Sequence, residues 1–117
     1  MSLDISEYEL GWLVAMLESE GSFFLKRHPN YSGRGMPSIT FGSTDLDVTE
    51  AVSALIGNPK VQRTQTAQGI LRGWKPLYRI GRHGAPAAEI MRELLPYFGE
   101  RRRSKISEIL AAYEGGA

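Results

Sequence analysis

Residues 13–21, Leu13-Val14-Ala15-Met16-Leu17-Glu18-Ser19-Glu20-Gly21, followed by Ser22 and Phe23, decide how this chain is read. They close a helix that Ser6 opens. Ser6 and Glu9 match a capping box, and Ile5 is placed to staple onto Leu10. From Tyr8 to Leu17 the helix is apolar nearly all round. Leu10, Leu13 and Leu17 make one stripe, and Tyr8, Trp12 and Met16 another. A helix apolar on every side is buried on every side. A chain of 117 residues covers one such face, and covering both calls for a partner. Gly11, Ala15 and Ser19 recur every four residues and form a shallow groove. Either a second helix or the protein's own sheet fits against it.

Working outward, Gly21 ends the helix as a C′ residue. Residues 22–27 read as a strand and 37–43 as its hairpin mate, across a loop at 28–36 rich in turn formers. Helix 2 starts at Thr44 in a Thr44-x-x-Asp47 box, carries Val48, Ala51, Val52, Leu55 and Ile56 at helical spacing, and stops at Gly57-Asn58-Pro59. A second hairpin joins 60–66 to 74–81 through a loop around Gly69 and Gly73. Pro86 suits the first turn of helix 3, whose core positions are Ala87, Ile90, Met91, Leu94 and Leu95, with Pro96 closing it. Helix 4 runs over about 101–113, with Ile106, Ile109, Leu110 and Tyr113 inward. The expected fold is α+β, in the order α-ββ-α-ββ-α-α, as one domain over residues 1–117. It has a four-stranded antiparallel sheet with helices on one face.

Composition narrows the function. There is no cysteine, so a disulfide framework, a zinc–thiolate site and a thiol nucleophile are excluded. The longest apolar stretch, 8–17, is too short to cross a membrane, and the expected compartment is the cytoplasm, with the nucleoid. Net charge is only +1, but it is segregated. Residues 21–43 hold Lys26, Arg27 and Arg34 and no acid; residues 60–82 hold Lys60, Arg63, Arg72, Lys75, Arg79 and Arg82 and no acid. Both segments are the hairpins, so the open sheet face is expected to carry nine positive charges, a footprint for a polyanion.

Glu18 and Glu20 stand in the last turn of helix 1, where the helix dipole disfavours carboxylates by ~0.3–1 kcal/mol. Two readings are open: both are solvated surface groups, or a cation such as Mg²⁺ is held by carboxylate and carbonyl oxygens. Arg101-Arg102-Arg103 at the start of helix 4 is likewise either a solvated run or a clamp on the backbone of the polyanion.

Residues 13–23 resemble the LAGLIDADG motif of homing endonucleases, and the element order over about 6–113 is similar to that family's core. The helix start Thr44-Asp45-Leu46-Asp47 and the helix end Leu95-Pro96-Tyr97 add to the likeness. The resemblance implies a site-specific double-stranded DNA endonuclease acting as a homodimer on a long, partly palindromic site. It implies Mg²⁺ as cofactor, with Mn²⁺ able to substitute and Ca²⁺ supporting binding without cleavage, and no small-molecule cofactor or membrane partner. The metal-binding acid falls on Glu20, with the carbonyl of Ser19 beside it. The dimer face falls on Gly11, Val14, Ala15, Glu18 and Ser19. Basic residues near the end of the last strand, Arg79 and Arg82, are candidates to steady the phosphate or to position it.

DNA recognition is expected along the outward strand positions Phe24, Lys26, His28, Ser38, Thr40, Gln62, Thr64, Lys75 and Arg79, with Asn30, Tyr31, Arg34 and Arg72 at the loop tips. Arg63 is a further candidate, although alternation leaves its face and that of Gln65 open. His28 and His83 read as surface residues. Alternatives to cleavage are a DNA-binding regulator or maturase-like binder on the same scaffold, and an RNA-binding sheet. The last would call for aromatics on the open face, where Phe24 and Trp74 are the only candidates. Neither the target nor the setting of the gene, in an intron, in an intein or alone, is written in the sequence.

Overall fold

The computed structural model describes residues 3–27 and 35–115. Helix α1, Glu7–Glu20, begins at the anticipated capping box: Ser6 Oγ accepts from Glu9 N at 3.1 Å, and Glu9 Oε1 accepts from Ser6 N at 2.9 Å. Leu13 and Leu17 are fully buried, Leu10, Trp12, Val14 and Met16 pack on the core edge, and Gly11 and Ala15 are exposed. Each fully buried leucine contributes roughly 1.5–3 kcal/mol.

Strands β1, Gly21–Lys26, and β2, Met36–Ser43, form the first hairpin. Helix α2 is Leu46–Leu55, β3 is Gln62–Thr64, α3 is Ala67–Leu71 and β4 is Leu77–His83. Helix α4, Gly84–Leu94, a 3-10 turn over Leu95–Tyr97 that contains Pro96, and α5, Glu100–Gly115, complete the order. The sheet is antiparallel throughout, in the order β1-β2-β4-β3. Phe23, Ile39, Phe41 and Ile80 lie on one face, buried with Val52, Ile56, Ala87, Ile90, Met91, Leu94, Ile106 and Ile109 from the helices. The α+β class and the helices-on-one-face layout therefore hold. Among the described residues no helix is long and apolar enough to cross a membrane.

The structure corrects several local expectations. Gly21 is not a left-handed cap; its φ of −85° is extended, and it opens β1. It is required for space, because a Cβ there would stand 2.6 Å from the Leu17 carbonyl oxygen. Helix α2 starts after Asp45, which makes no side-chain cap, so the Thr44–Asp47 box does not form; Ser43 Oγ instead accepts from Asp45 N at 3.0 Å. The loop around Gly69 contains a short helix, capped by Thr66 Oγ on Gly69 N at 2.9 Å. That turn shortens β3 to three exposed residues and delays β4 to Leu77.

Candidate nucleic-acid interface and acidic centre

Strand alternation sorts the sheet residues into two faces. Pairing of Ser38 with His83, Thr40 with Gly81, Gly42 with Arg79 and Gln62 with Arg79 puts these on the open face, together with Phe24 and Lys26 of β1. There, Thr40, Lys60, Gln62, Thr64, Arg79 and His83 line a depression of about 420 Å³. Gly42 makes room for Arg79, since a Cβ at 42 would meet Arg79 Cγ at 3.3 Å. Phe24 is half-buried, while Lys26, Gln62, Thr64, Lys75 and Arg79 are exposed. Arg72 is exposed at the end of α3, over the Trp74 ring at 5.6 Å. His28, Asn30, Tyr31 and Arg34 lie outside the described residues.

Three anticipated contacts are placed otherwise. Ser38 is on the open face but 0% exposed, covered by His83, whose Nδ1 lies 2.9 Å from Ser38 Oγ. Arg82 pairs with Ile39 and so belongs to the helix-covered face. Its guanidinium lies against Gly57, and its Nε is buried without a hydrogen-bond partner. Arg63, opposite Tyr78, points to that same side, and its Nη2 donates to Gln65 Oε1 at 2.9 Å. The basic residues therefore do not all share one face: Lys26, Lys60 and Arg79 surround the open surface, and Arg63 and Arg82 do not.

At the end of α1 the two glutamates have different environments. Glu18 Oε1 accepts from Gly99 N at 3.0 Å, at the start of α5, and its Oε2 meets Arg102 Nε at 3.0 Å. Glu18, expected on the dimer face, is thus engaged within its own chain. Glu20 is exposed, and its side chain has no hydrogen bond or ion pair with any described residue. Ser19 is exposed, its Oγ donating to Met16 O at 3.1 Å. Gly11 has open space where a side chain would stand. With exposed Ala15 and half-buried Val14 these residues leave one side of α1 uncovered.

Sequence reasoning counted Lys60 among the charges of the open face without naming it as a contact, read Arg102 only as part of a solvated run or a backbone clamp, and took His83 for a surface residue. Arg102 lies over the Phe23 ring at 5.6 Å and donates from Nη2 to the Glu18 carbonyl at 2.9 Å. Nothing local announces a pairing across 84 residues. His83 was findable: extending the alternation of Arg79 through 81 to 83 puts it on the open face. His83 has its pKa lowered by burial first and by the Lys26 charge second.

These features define a class: an α+β protein with the fold of homing endonucleases, as the motif at 13–21 led us to expect. Particular solved structures carry that likeness. The chain matches homing endonuclease I-CvuI in complex with its target in the presence of Ca, with a TM-score of 0.68 and 14% identity over 92% of this chain and 66% of that one. It matches I-CvuI in complex with an I-CreI target in the presence of Mg, with the DNA not cleaved, at a TM-score of 0.66, 15% identity, and 92% and 67% coverage. The homing endonuclease I-TnaI matches at a TM-score of 0.62 and 13% identity, over 93% of this chain and 70% of that one. The chain thus spans about two thirds of the length of the I-CvuI chain. No family model matches the sequence, and no curated protein does.

Proposed function

We propose that this protein is a site-specific, divalent-metal-dependent endonuclease of double-stranded DNA that acts as a homodimer through α1. The observation that carries the reading is Glu20: an exposed carboxylate with no described partner, at a helix C-terminus without a basic residue in its last turn. A carboxylate there is disfavoured unless a cation arrives.

The donor chemistry fits a hard cation such as Mg²⁺, held by Glu20 with the Ser19 carbonyl beside it. Among the described residues no three metal-ligating side chains converge, and Glu18 is held by Arg102 and Gly99, so Glu20 is the carboxylate left at this helix end for such a site. A second copy, joined along the uncovered side of α1, would bring its own Glu20. When bound, Mg²⁺ lowers the pKa of a coordinated water and neutralises phosphate charge. The protein's own part is placement. Glu20 fixes the anionic pole of the site. Arg102, anchored on Glu18 and Phe23, holds a fixed positive charge beside that helix end. Lys26, Lys60 and Arg79 draw and position the duplex on the open sheet face. A protein with this partner would reside where DNA is, consistent with the nucleoid.

Plasmid libraries carrying random inserts test the reading. Cutting at a recurring sequence in Mg²⁺, and none with EDTA, is the expected result. Sequence-selective binding with intact DNA in Mg²⁺ would make the protein a DNA-binding regulator instead.

A further inference from the structure

We infer that His83 is a specificity-determining residue: a hydrogen-bond acceptor, oriented by Ser38, that selects a base bearing an exocyclic amino group in the DNA major groove. The inference rests on the DNA-binding reading above and adds to it the chemistry of one recognition position.

The argument starts from a buried hydroxyl. Ser38 is 0% exposed, so its hydrogen needs a partner inside the protein. Ser38 Oγ lies 3.4 Å from the Met36 carbonyl oxygen and 2.9 Å from His83 Nδ1. The carbonyl only accepts, so Ser38 donates to it and receives in turn from Nδ1–H. This serial order gives all three groups a partner; the reverse order leaves the serine without its carbonyl contact. A neutral imidazole has one N–H. With it committed to Ser38, Nε2 is a bare acceptor.

The ring is also given its place. A Cβ at Gly81 would stand 2.8 Å from Nε2, so glycine lets the imidazole lie along β4. The groups facing it are cationic: Lys26 on β1, Arg79 on β4, and Lys60 ahead of β3, with the neutral Ser38 on β2. Burial and Lys26 keep the ring's pKa below its ordinary 6.5, so it is neutral at physiological pH.

An acceptor in the major groove pairs with the amino group of adenine N6 or cytosine N4. Protonation turns Nε2 into a donor, which suits guanine N7 or O6. One position of the target is therefore read as adenine or cytosine when His83 is neutral.

Two measurements test this. Nitrogen-15 NMR of the imidazoles, with His83 assigned by loss of its signals in His83→Gln, should show the Nδ1–H tautomer in the wild type. Ser38→Ala should shift it toward Nε2–H. An Nε2–H wild type overturns the inference. The second is selection from a randomised duplex library in Ca²⁺ at about pH 8, above the ordinary histidine range. Wild type should prefer adenine or cytosine at one position per half-site by about tenfold. His83→Ala should lose that preference and keep the others. Identical selected sites for both proteins overturn the inference and leave DNA binding intact; failure to enrich any duplex overturns both.

Discussion

Glu18 and Arg102 join the end of α1 to the start of α5: the guanidinium meets the carboxylate at 3.0 Å and the backbone carbonyl of the same glutamate at 2.9 Å. The adjacent acid, Glu20, has no such partner among the described residues. Two glutamates that look equivalent in the sequence thus divide into a structural one and a free one.

Cleavage should follow that division. Glu20→Gln keeps shape and removes the charge that would hold a cation, so cutting should vanish while binding survives or tightens. Glu18→Gln should cut, because its side chain is turned about 200° away on the helix. The comparison is cleavage of one bound target at equal occupancy. Wild-type cutting by Glu20→Gln would move the metal site elsewhere.

Stability should follow it in the opposite sense. Arg102→Ala loses charge-assisted bonds to Glu18 and the stack on Phe23, and should cost about 2 kcal/mol. Glu18→Gln keeps an acceptor for Gly99 N and should cost about 1 kcal/mol. Glu20→Gln should be neutral or slightly stabilising. Urea midpoints of the three variants rank them, and a costly Glu20→Gln would contradict the assignment.

Ala15 is exposed on the uncovered side of α1, so Ala15→Trp should leave the fold intact and break the dimer. Light scattering at micromolar concentration should give wild type twice the 13.0 kDa of one chain and the variant a single chain mass. A monomeric wild type would end the dimer reading.

Binding should weaken steeply with salt. Lys26, Lys60 and Arg79 are exposed around the open face, and Arg72 and Lys75 are exposed in the connection between α3 and β4. If a dimer makes 6–10 phosphate contacts, affinity should fall ~10³–10⁵-fold between about 50 and 200 mM salt. A flat fluorescence-anisotropy response would exclude this face as the contact surface.

His83 should leave a mark on stability. Its folded pKa lies below 6.5, so proton uptake favours the unfolded chain. Its contribution is complete above about pH 6.5 and fades as pH falls through the lower folded value. Melting temperatures from acid to neutral pH should therefore slope less in His83→Asn than in wild type. Parallel curves would rule out His83 as the source.

What the sequence disclosed was local and periodic. The Ser6–Glu9 cap, the stripe of Leu13 and Leu17, the first hairpin and the inward residues of α4 and α5 each repeat at helix or strand spacing. What it concealed was non-local or too short. Helix α3 has five residues, below the length at which a period shows. Ser38 is buried by a residue 45 positions away. The side of the sheet taken by Arg82 was open to reading, because alternation from the buried Ile80 carries it to the packed face, as it carries Arg79 to His83 on the open one. The helix dipole marked Glu18 and Glu20 alike; that Glu18 is captive was not legible, because its partners lie more than 80 residues on.

The division of the sheet into a packed face and an open one has an evolutionary consequence. Lys26, Gln62, Thr64 and Arg79 are exposed and lie opposite the buried core. Exchanges at such positions usually change stability by less than about 0.5 kcal/mol. This surface can therefore accumulate substitutions, in nature or by design, while the scaffold stays constant. Ser38, Gly42 and Gly81 are the exceptions, since a buried hydroxyl and two clearances hold the neighbouring side chains in place. A lineage altering its preferred ligand would be expected to drift through the first group and to carry the second along unchanged.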